Sequence, residues 1–184
     1  MAGCAIAGGV DAAGCGDRFS SPGIEHESIY MLNRNEVLSF TSSVTGEISA
    51  LVREATKVAF KLDVHKNTAI YDEKLVTSDE SAPFYEQSLT ARITATDTAT
   101  MTAIEDMVGV DLLIVAHVKN GKFRVIGEWG GVKLTENEYS TGKVAGDAVG
   151  DTIVFTGQAN GKSRFFLDTD EATTLAELET YLVP

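Results

Sequence analysis

The stretch Leu112-Leu-Ile-Val-Ala-His-Val118 decides the fold. Seven nearly continuous apolar residues are typical of a strand that is buried on both faces, so we predict that this segment is the central strand of a sheet. Lys119-Asn-Gly-Lys122 follows directly, and Asn-Gly between two β segments is the strongest short signal for a β-hairpin. Residues 123–126 are the returning strand of that hairpin.

Outward from this hairpin, short strands dominate the chain, which makes the predicted fold mainly β. Two segments, 56–64 and 85–94, alternate apolar and polar side chains, as strands with one face on the core do. Their apolar faces comprise Val58, Phe60, Leu62 and Val64 in the first, and Tyr85, Leu89, Ala91 and Ile93 in the second. Further strands are predicted in pairs, at 28–32 and 36–41 around a tight turn at Asn33-Arg34-Asn35, and at 152–156 and 164–167 as a hairpin around Asn160-Gly161.

Two helices are predicted among the strands. The first spans about 97–108, with Asp97 or Thr98 as its cap and Gly109 placed to end it. Helical spacing gives it an apolar side that should lie across a sheet, with its methionines filling the core: Met101, Ile104, Met107 and Val108. A short C-terminal helix is predicted at 174–182, where Thr174-Leu-Ala-Glu177 has the form of a capping box.

The chain divides into an arm and one domain. Residues 1–23 are rich in Gly and Ala and lack the basic start of a secretory signal, so we interpret them as an N-terminal arm. Residues 24–184 form a single β-rich domain. Within it, residues 67–83 are polar and acidic, and we predict a long loop with a possible short strand around Tyr71. Loops of this length are usually functional or mobile.

The net charge of the chain argues against a protein that binds nucleic acid. The 184 residues carry a formal net charge of −12, whereas affinity for a phosphate backbone comes largely from Lys and Arg. An acidic surface repels DNA, which is useful where DNA must pass without adhering. Cys4 and Cys15 could pair, although two free thiols are the more common arrangement. The three histidines lie at no metal-binding spacing.

Motifs of catalysis and cofactor binding are incomplete. Ser140-Thr-Gly-Lys143 resembles the end of a phosphate-binding loop, but Val144 stands where Ser or Thr would bind magnesium, so we predict a turn. Asp168-Thr-Asp170 with Glu179 has the frame of a calcium-binding loop but lacks its central glycine, and helix capping is preferred. We predict no catalytic residues, no cofactor and no metal, and hence a protein that is not an enzyme.

Exposed aromatic residues would support a different function. Trp129, in a glycine-rich stretch, is interpreted as a half-buried residue beside a turn, but tryptophan is also a frequent anchor at interfaces. Trp129, Tyr139 and Tyr30 could together supply stacking surfaces. The alternative function is therefore a monomeric carbohydrate- or protein-binding β-sandwich module.

About half of the chain resembles the tail tube and related virion structural proteins of phages that infect Bacteroidetes. The resemblance is carried by an ordered series of strand, helix and turn segments: Phe84-Tyr-Glu-Gln-Ser-Leu-Thr-Ala-Arg92, the helix, Val110-Asp-Leu-Leu-Ile-Val-Ala-His-Val-Lys-Asn-Gly121, Arg124-Val-Ile-Gly-Glu-Trp-Gly-Gly131, Thr141-Gly-Lys143 and Asp151-Thr-Ile-Val-Phe-Thr-Gly157. The N-terminal cysteine pair is similar to openings seen in such proteins.

This resemblance implies an antiparallel β-sandwich or barrel-like fold with a flanking helix. It also implies subunits that assemble into rings, typically hexameric, which stack into a tube through which DNA leaves the virion. The expected partners are other copies of the chain, other tail proteins, and double-stranded DNA that passes without specific binding, with no membrane involved. The expected location is the virion tail, and the host cytoplasm during assembly. The long loop at 67–83 would bridge rings.

Overall fold

The computed structural model describes residues 24–43, 46–65, 67–77, 82–94, 97–118, 122–142, 149–166 and 170–182. Within these ranges the chain is mainly β, as predicted, and forms two sheets and two α-helices. The strands are β1 (Ile24–Asn33), β2 (Val37–Ser42), β3 (Ile48–Arg53), β4 (Phe60–Leu62), β5 (Ile70–Val76), β6 (Phe84–Ile93), β7 (Leu112–Val118), β8 (Lys122–Ile126), β9 (Lys133–Ser140), β10 (Gly150–Ala159) and β11 (Phe165–Phe166). The helices are α1 (Thr98–Asp106) and α2 (Glu171–Thr180), and a 3-10 turn spans Arg34–Glu36.

The larger sheet has seven strands in the order β2-β3-β11-β8-β7-β1-β4. As predicted, β7 lies inside this sheet, paired with β8 on one side and β1 on the other. Its side chains are buried in turn on each face, with Ile114 in one apolar cluster and Val115 in the other. The continuous apolar run of β7 thus follows from its position between two layers.

The smaller sheet has four strands in the order β5-β6-β10-β9, all antiparallel. Its inner face packs on the larger sheet through Leu89, Ile153 and Phe155. Helix α1 adds Ile104 and Met107 to the same interior. Helix α2 covers the opposite face of the larger sheet with Leu178 and Tyr181. The fold is therefore sandwich-like, with the larger sheet as its middle layer.

The hairpin predicted around Asn160-Gly161 is wrong, and the two strands predicted on either side of Asn33-Arg34-Asn35 are present with a turn between them but do not pair with each other. Strands β1 and β2 flank the turn at Arg34–Glu36 but do not pair, because β1 joins β4 and β7 while β2 joins β3. Similarly, β10 lies in the smaller sheet and β11 in the larger one. The chain around Asn160 is thus a crossing between layers. Asn-Gly sequences favour a turn but do not specify whether the strands on either side of it share a sheet.

Residues 67–83 do not form a long loop. The short strand expected around Tyr71 is present as β5, which pairs with β6 over seven residues. The alternation in β5 is weak because it is an edge strand: its outward face mixes Ile70 and Val76 with Asp72 and Lys74, and its inward face is only partly buried. The connection between β5 and β6 is therefore a short one.

The apolar side predicted for the first helix is only partly correct. Asp97 caps α1 as expected, and Gly109 has the left-handed conformation (φ 80°) predicted after the helix end. Ile104 is buried and Met107 at the helix end packs on the core, but Met101, one turn before Ile104, and Val108, beyond the helix end, are exposed. Likewise, Phe60 shares a face with buried Leu62 but is exposed at the sheet edge.

The C-terminal helix begins earlier than predicted. Asp170 caps it, and a capping box forms between Asp170 and Thr173, whereas Thr174 is buried inside the first turn. The local sequence therefore offered two overlapping capping boxes, and packing of α2 on the larger sheet selects the first. The N-terminal arm with Cys4 and Cys15, the turn at Asn120-Gly121, and Asp168 lie outside the described residues.

The cap of α2 gives a prediction about acid stability. Hydrogen bonds from the Thr173 backbone N–H and hydroxyl lower the pKa of Asp170 below its ordinary value of 3.8. A carboxyl group whose pKa is lowered by folding stabilises the folded state fully at a pH above its unfolded-state pKa. This stabilisation is lost as the pH falls through the folded-state pKa. We expect Asp170→Ala to lower Tm at pH 7 by roughly 2–4 °C, and this difference to shrink below about pH 3.

Circular dichroism melting at pH 7 and pH 2.5 measures this difference. Asp170→Asn is the matched control, because asparagine keeps a capping oxygen without a titrating group. An equal fall in Tm for the Ala variant at both pH values would contradict the ionised cap.

Candidate assembly surfaces

The smaller sheet has two uncovered edges. No other strand in the described ranges pairs with the outer side of β5 or of β9. On β5, Ile70 and Leu75 are 54% and 50% exposed, and on β9 most side chains are exposed, including Tyr139. Edge strands of this length offer unpaired backbone N–H and C=O groups to another chain, and exposed apolar side chains on them favour such pairing.

The outer face of the smaller sheet has no layer over it in the described residues. The register aligns Ile70, Thr90, Val154 and Glu136 in one row across all four strands. Short side chains fill the middle of this face, where Ser88, Thr90, Thr152, Val154 and Thr156 are half-buried. Acidic residues outnumber basic ones on it by one, with Asp72, Glu86, Glu136 and Glu138 against Lys74, Arg92 and Lys133.

A polar network on the inner face fixes β5 in position. The Glu73 carboxylate accepts hydrogen bonds from the Tyr71 hydroxyl (3.1 Å), from Nε2 of Gln87 (3.2 Å) and from the Ser163 backbone N–H (2.7 Å). Gln87, which is almost fully buried, also accepts from the Gly127 N–H at 2.9 Å. Burial is the main cause that raises the pKa of the Tyr71 phenol, so it remains a donor. The network joins the edge strand to both the larger sheet and the crossing segment.

A second network fixes the turn that leads into β9. The buried Glu128 carboxylate receives both Nε (2.8 Å) and Nη2 of Arg164, and Arg164 also donates to Ser42 Oγ at 2.6 Å. The backbone carbonyl of Glu128 accepts from Nε of Arg34 at 2.9 Å. Gly127, before this turn, has φ +80°, and an added Cβ would lie 2.6 Å from the Leu112 carbonyl oxygen. The start of β9 is thus held by three parts of the larger sheet.

Hydrogen bonds of two tyrosines hold helix α2 against the larger sheet. The Tyr30 hydroxyl donates to Glu179 at 2.8 Å, and the Tyr181 hydroxyl contacts both Glu177 and the Leu51 carbonyl. Burial, followed by the adjacent carboxylate, raises the pKa of both phenols well above their ordinary value. Nε2 of His117 lies 3.1 Å from Glu171 at the start of the helix. These side chains are structural contacts between α2 and the sheet.

The aromatic residues proposed as a stacking surface do not come together. Tyr30 is fully buried in the core, so its assignment to a stacking surface is wrong. Trp129 and Tyr139 are exposed, but they lie before the beginning and near the end of β9. A strand of eight residues extends over roughly 25 Å. The two rings therefore belong to different parts of the surface.

The incomplete sequence motifs have structural roles. Ser140 and Gly142 form a turn after β9, with the Gly142 N–H 3.3 Å from Ser140 Oγ, and the next described element is a strand instead of the helix of a phosphate-binding loop. Asp170 and Glu179 lie at opposite ends of α2, where the first caps the helix and the second binds Tyr30. Helix capping by Asp170 is thus confirmed.

Several features of these surfaces were missed by sequence analysis. Strands β3 and β9 were not predicted, and neither were the roles of Gln87, Glu73 and Glu128. For β9, Leu134 is its single partly buried apolar residue, so no alternation was visible. A usable signal was the position of Gln87 at an inward register within an otherwise apolar strand face.

Comparison with family models, curated proteins and solved structures gives no match for this chain. Neither helix in the described ranges has the length and apolar character required to cross a membrane.

Proposed function

We propose that this chain is a self-assembling structural subunit whose rings, hexameric by the family resemblance, stack into the tail tube of a phage. The observation that carries the proposal is the four-stranded antiparallel sheet with two open edges and an uncovered outer face. Each of these edges is able to accept a further strand from another chain. A second copy supplies the missing neighbour at each edge.

The direction of the strands supports a head-to-tail ring. Along the order β5-β6-β10-β9, three antiparallel steps make β5 and β9 run in opposite directions. Rotation about a ring axis leaves the direction of β5 along that axis unchanged, so β9 of one copy meets β5 of the next in antiparallel orientation. Contacts of this heterologous type close into rings when the rotation allows.

Size and charge fit a conduit for DNA. Six copies would contribute 24 strands, and at a spacing of about 4.8 Å the closed sheet would measure roughly 37 Å across its backbone, or more with tilted strands. This diameter accommodates a DNA duplex. In this arrangement the outer face of the sheet lines the channel. Its small surplus of carboxylates, together with the net charge of −12 on each chain, disfavours adhesion of phosphates, so DNA passes without specific binding.

The proposal also defines partners and location. The main partner is another copy of the chain, through ring contacts at β5 and β9 and through stacking contacts between rings. Other tail proteins would bind the ends of the tube. The protein would act in the virion tail, after assembly in the host cytoplasm, and would perform no catalysis.

Electron microscopy tests the proposal directly. The purified chain, concentrated and imaged in negative stain, is expected to show rings or tubes with a central channel, and light scattering after size exclusion should give a mass several times 19.6 kDa. The same measurements with an added short tail-tube fragment as a seed cover the case in which assembly requires an initiator. A chain that stays monomeric at high concentration with and without seeds would contradict the proposal.

A further inference from the structure

A groove opens between α1 and the β9 edge of the smaller sheet. It encloses about 400 Å³, within the range of small-molecule sites. Its lining combines an apolar wall with two carboxylates: Met101, Ile104, Glu105, Asn137, Tyr139 and Asp151. All of these residues belong to one subunit, so the groove exists independently of the proposed assembly.

Asp151 is the unusual member of the lining. It lies on the inner face of β10, between Ile93 on β6 and Tyr139 on β9, where the other inward positions of the strand are apolar. The residue is only 6% exposed and makes no hydrogen bond or ion pair within the part of the chain that the structure describes. Its carboxylate oxygens are not among the buried polar atoms that lack a partner, so they open into the groove. A cation bound there would pair with a carboxylate that the described residues leave without a counter-charge.

The lining favours an organic cation over a metal ion. Calcium requires six to eight oxygen ligands, as a rule. Here no cluster of three or more acidic, His or Cys side chains arranged for a metal is found in the described ranges. By contrast, Met101 and Ile104 suit a methylene chain, and the Tyr139 ring is able to attract an ammonium group.

Two carboxylates at different depths suggest two positive charges. Asp151 lies at the buried floor, whereas Glu105 is exposed at the rim of the groove. Neither carboxylate takes part in the ion pairs of the described residues, and the chain as a whole is strongly acidic, which raises the local concentration of cations. We propose that this groove binds an aliphatic diamine, with one ammonium group on Asp151, the other on Glu105, and the methylene chain along Met101 and Ile104.

Isothermal titration calorimetry with 1,5-diaminopentane tests this site. Measurements at about 150 mM salt screen weak surface attraction, and both amines are charged at pH 7. We expect Asp151→Asn to weaken binding at least about tenfold, because a paired buried charge is lost. Glu105→Gln should weaken binding of the diamine about threefold, and leave binding of pentylamine unchanged.

Matched controls distinguish binding in the groove from a general attraction of cations to the acidic surface. Glu138→Gln removes one charge from the outer face of the same strand β9 and is expected to leave affinity unchanged. If Glu138→Gln weakened diamine binding as much as Asp151→Asn does, the effect would be a general attraction of cations to the acidic surface, and the proposal would be overturned. Equal binding of 1,5-pentanediol, or displacement of the diamine by calcium chloride in an Asp151-dependent manner, would also overturn it.

A measurement without substitution covers the case in which Asp151→Asn changes the fold. In protein labelled at methionine methyl groups, the Met101 signal should shift on addition of the diamine, while that of Met31 in the core should not. No shift at Met101 at saturating diamine would overturn the proposal whatever the behaviour of the variants.

Discussion

Replacing both Ile70 and Leu75 with lysine is expected to abolish assembly while leaving the subunit folded. Both side chains are about half exposed on the β5 edge, so their loss removes little from the core of a single subunit. Lysines on an edge strand oppose pairing with another strand, because the contact would bury their charges. The expected result is a monomer in light scattering with an unchanged circular dichroism spectrum.

The matched control places the same change on the other sheet. Leu38 on β2 and Val52 on β3 are also exposed apolar residues, and Leu38→Lys with Val52→Lys adds the same two charges. This control should assemble as the parent chain does. If it were as monomeric as the β5 variant, or if the β5 variant formed rings, the β5 edge would not be the ring contact.

Mixing variants distinguishes a head-to-tail contact from a symmetric one. Glu136→Lys with Glu138→Lys places two lysines on the β9 edge, where we expect them to oppose pairing as lysines on β5 do. In a head-to-tail ring, the β5 variant keeps an intact β9 edge and the β9 variant keeps an intact β5 edge. When the two are mixed, these two edges are able to pair, but both remaining edges are blocked. The mixture should therefore form dimers and no larger assembly. Dimers of either variant alone would instead indicate a symmetric contact.

Replacing Glu128 with leucine is expected to lower the free energy of unfolding by about 3 kcal/mol, because Arg164 keeps its charge in a largely desolvated position. The side chain of Glu128 is 7% exposed and that of Arg164 29%, so solvent relieves only part of this cost. The turn before β9 depends on this pair, and the same variant should also impair assembly. Urea unfolding followed by fluorescence of the single Trp129, next to Glu128, measures the change.

A double-mutant cycle checks the cause. Glu128→Leu combined with Arg164→Met should recover part of the lost stability, because no unpaired charge remains. Glu128→Gln, which keeps hydrogen-bonding atoms, should lose less than Glu128→Leu. Additive effects of the two single substitutions would show that the ion pair does not account for the destabilisation.

The elements predicted correctly are those whose signal lies in contiguous residues. The continuous apolar run of β7, the alternation in β6 and the cap at Asp97 each reflect an environment that one segment experiences along its whole length. Edge strand β9 shows no such pattern because nearly all of its side chains face solvent. The pairing of strands was still harder to predict, because the turn residues around Asn160 do not indicate which of the two sheets the following strand joins.

The candidate surfaces were hidden from sequence for a related reason. Lack of a chemical motif suggested a structural protein, but the open edges emerge only once the strand order is known. The Glu73 network joins residues that are 14 and 90 positions apart, and the Asp151 groove joins α1 with two later strands. Such contacts depend on the strand topology, and they cannot be predicted from the secondary-structure propensity of individual segments.

The order of strands has a consequence for biosynthesis. Strand β10 lies between β6 and β9, and β11 lies between β3 and β8, so residues 150–166, which follow the other described strands in the chain, supply an interior strand to each sheet. Until these two strands have emerged from the ribosome, neither sheet has all of its native strand pairs. Long-range pairing of this kind slows folding, and the smaller sheet with its two open edges forms only once β10 is available to pair with β6 and β9.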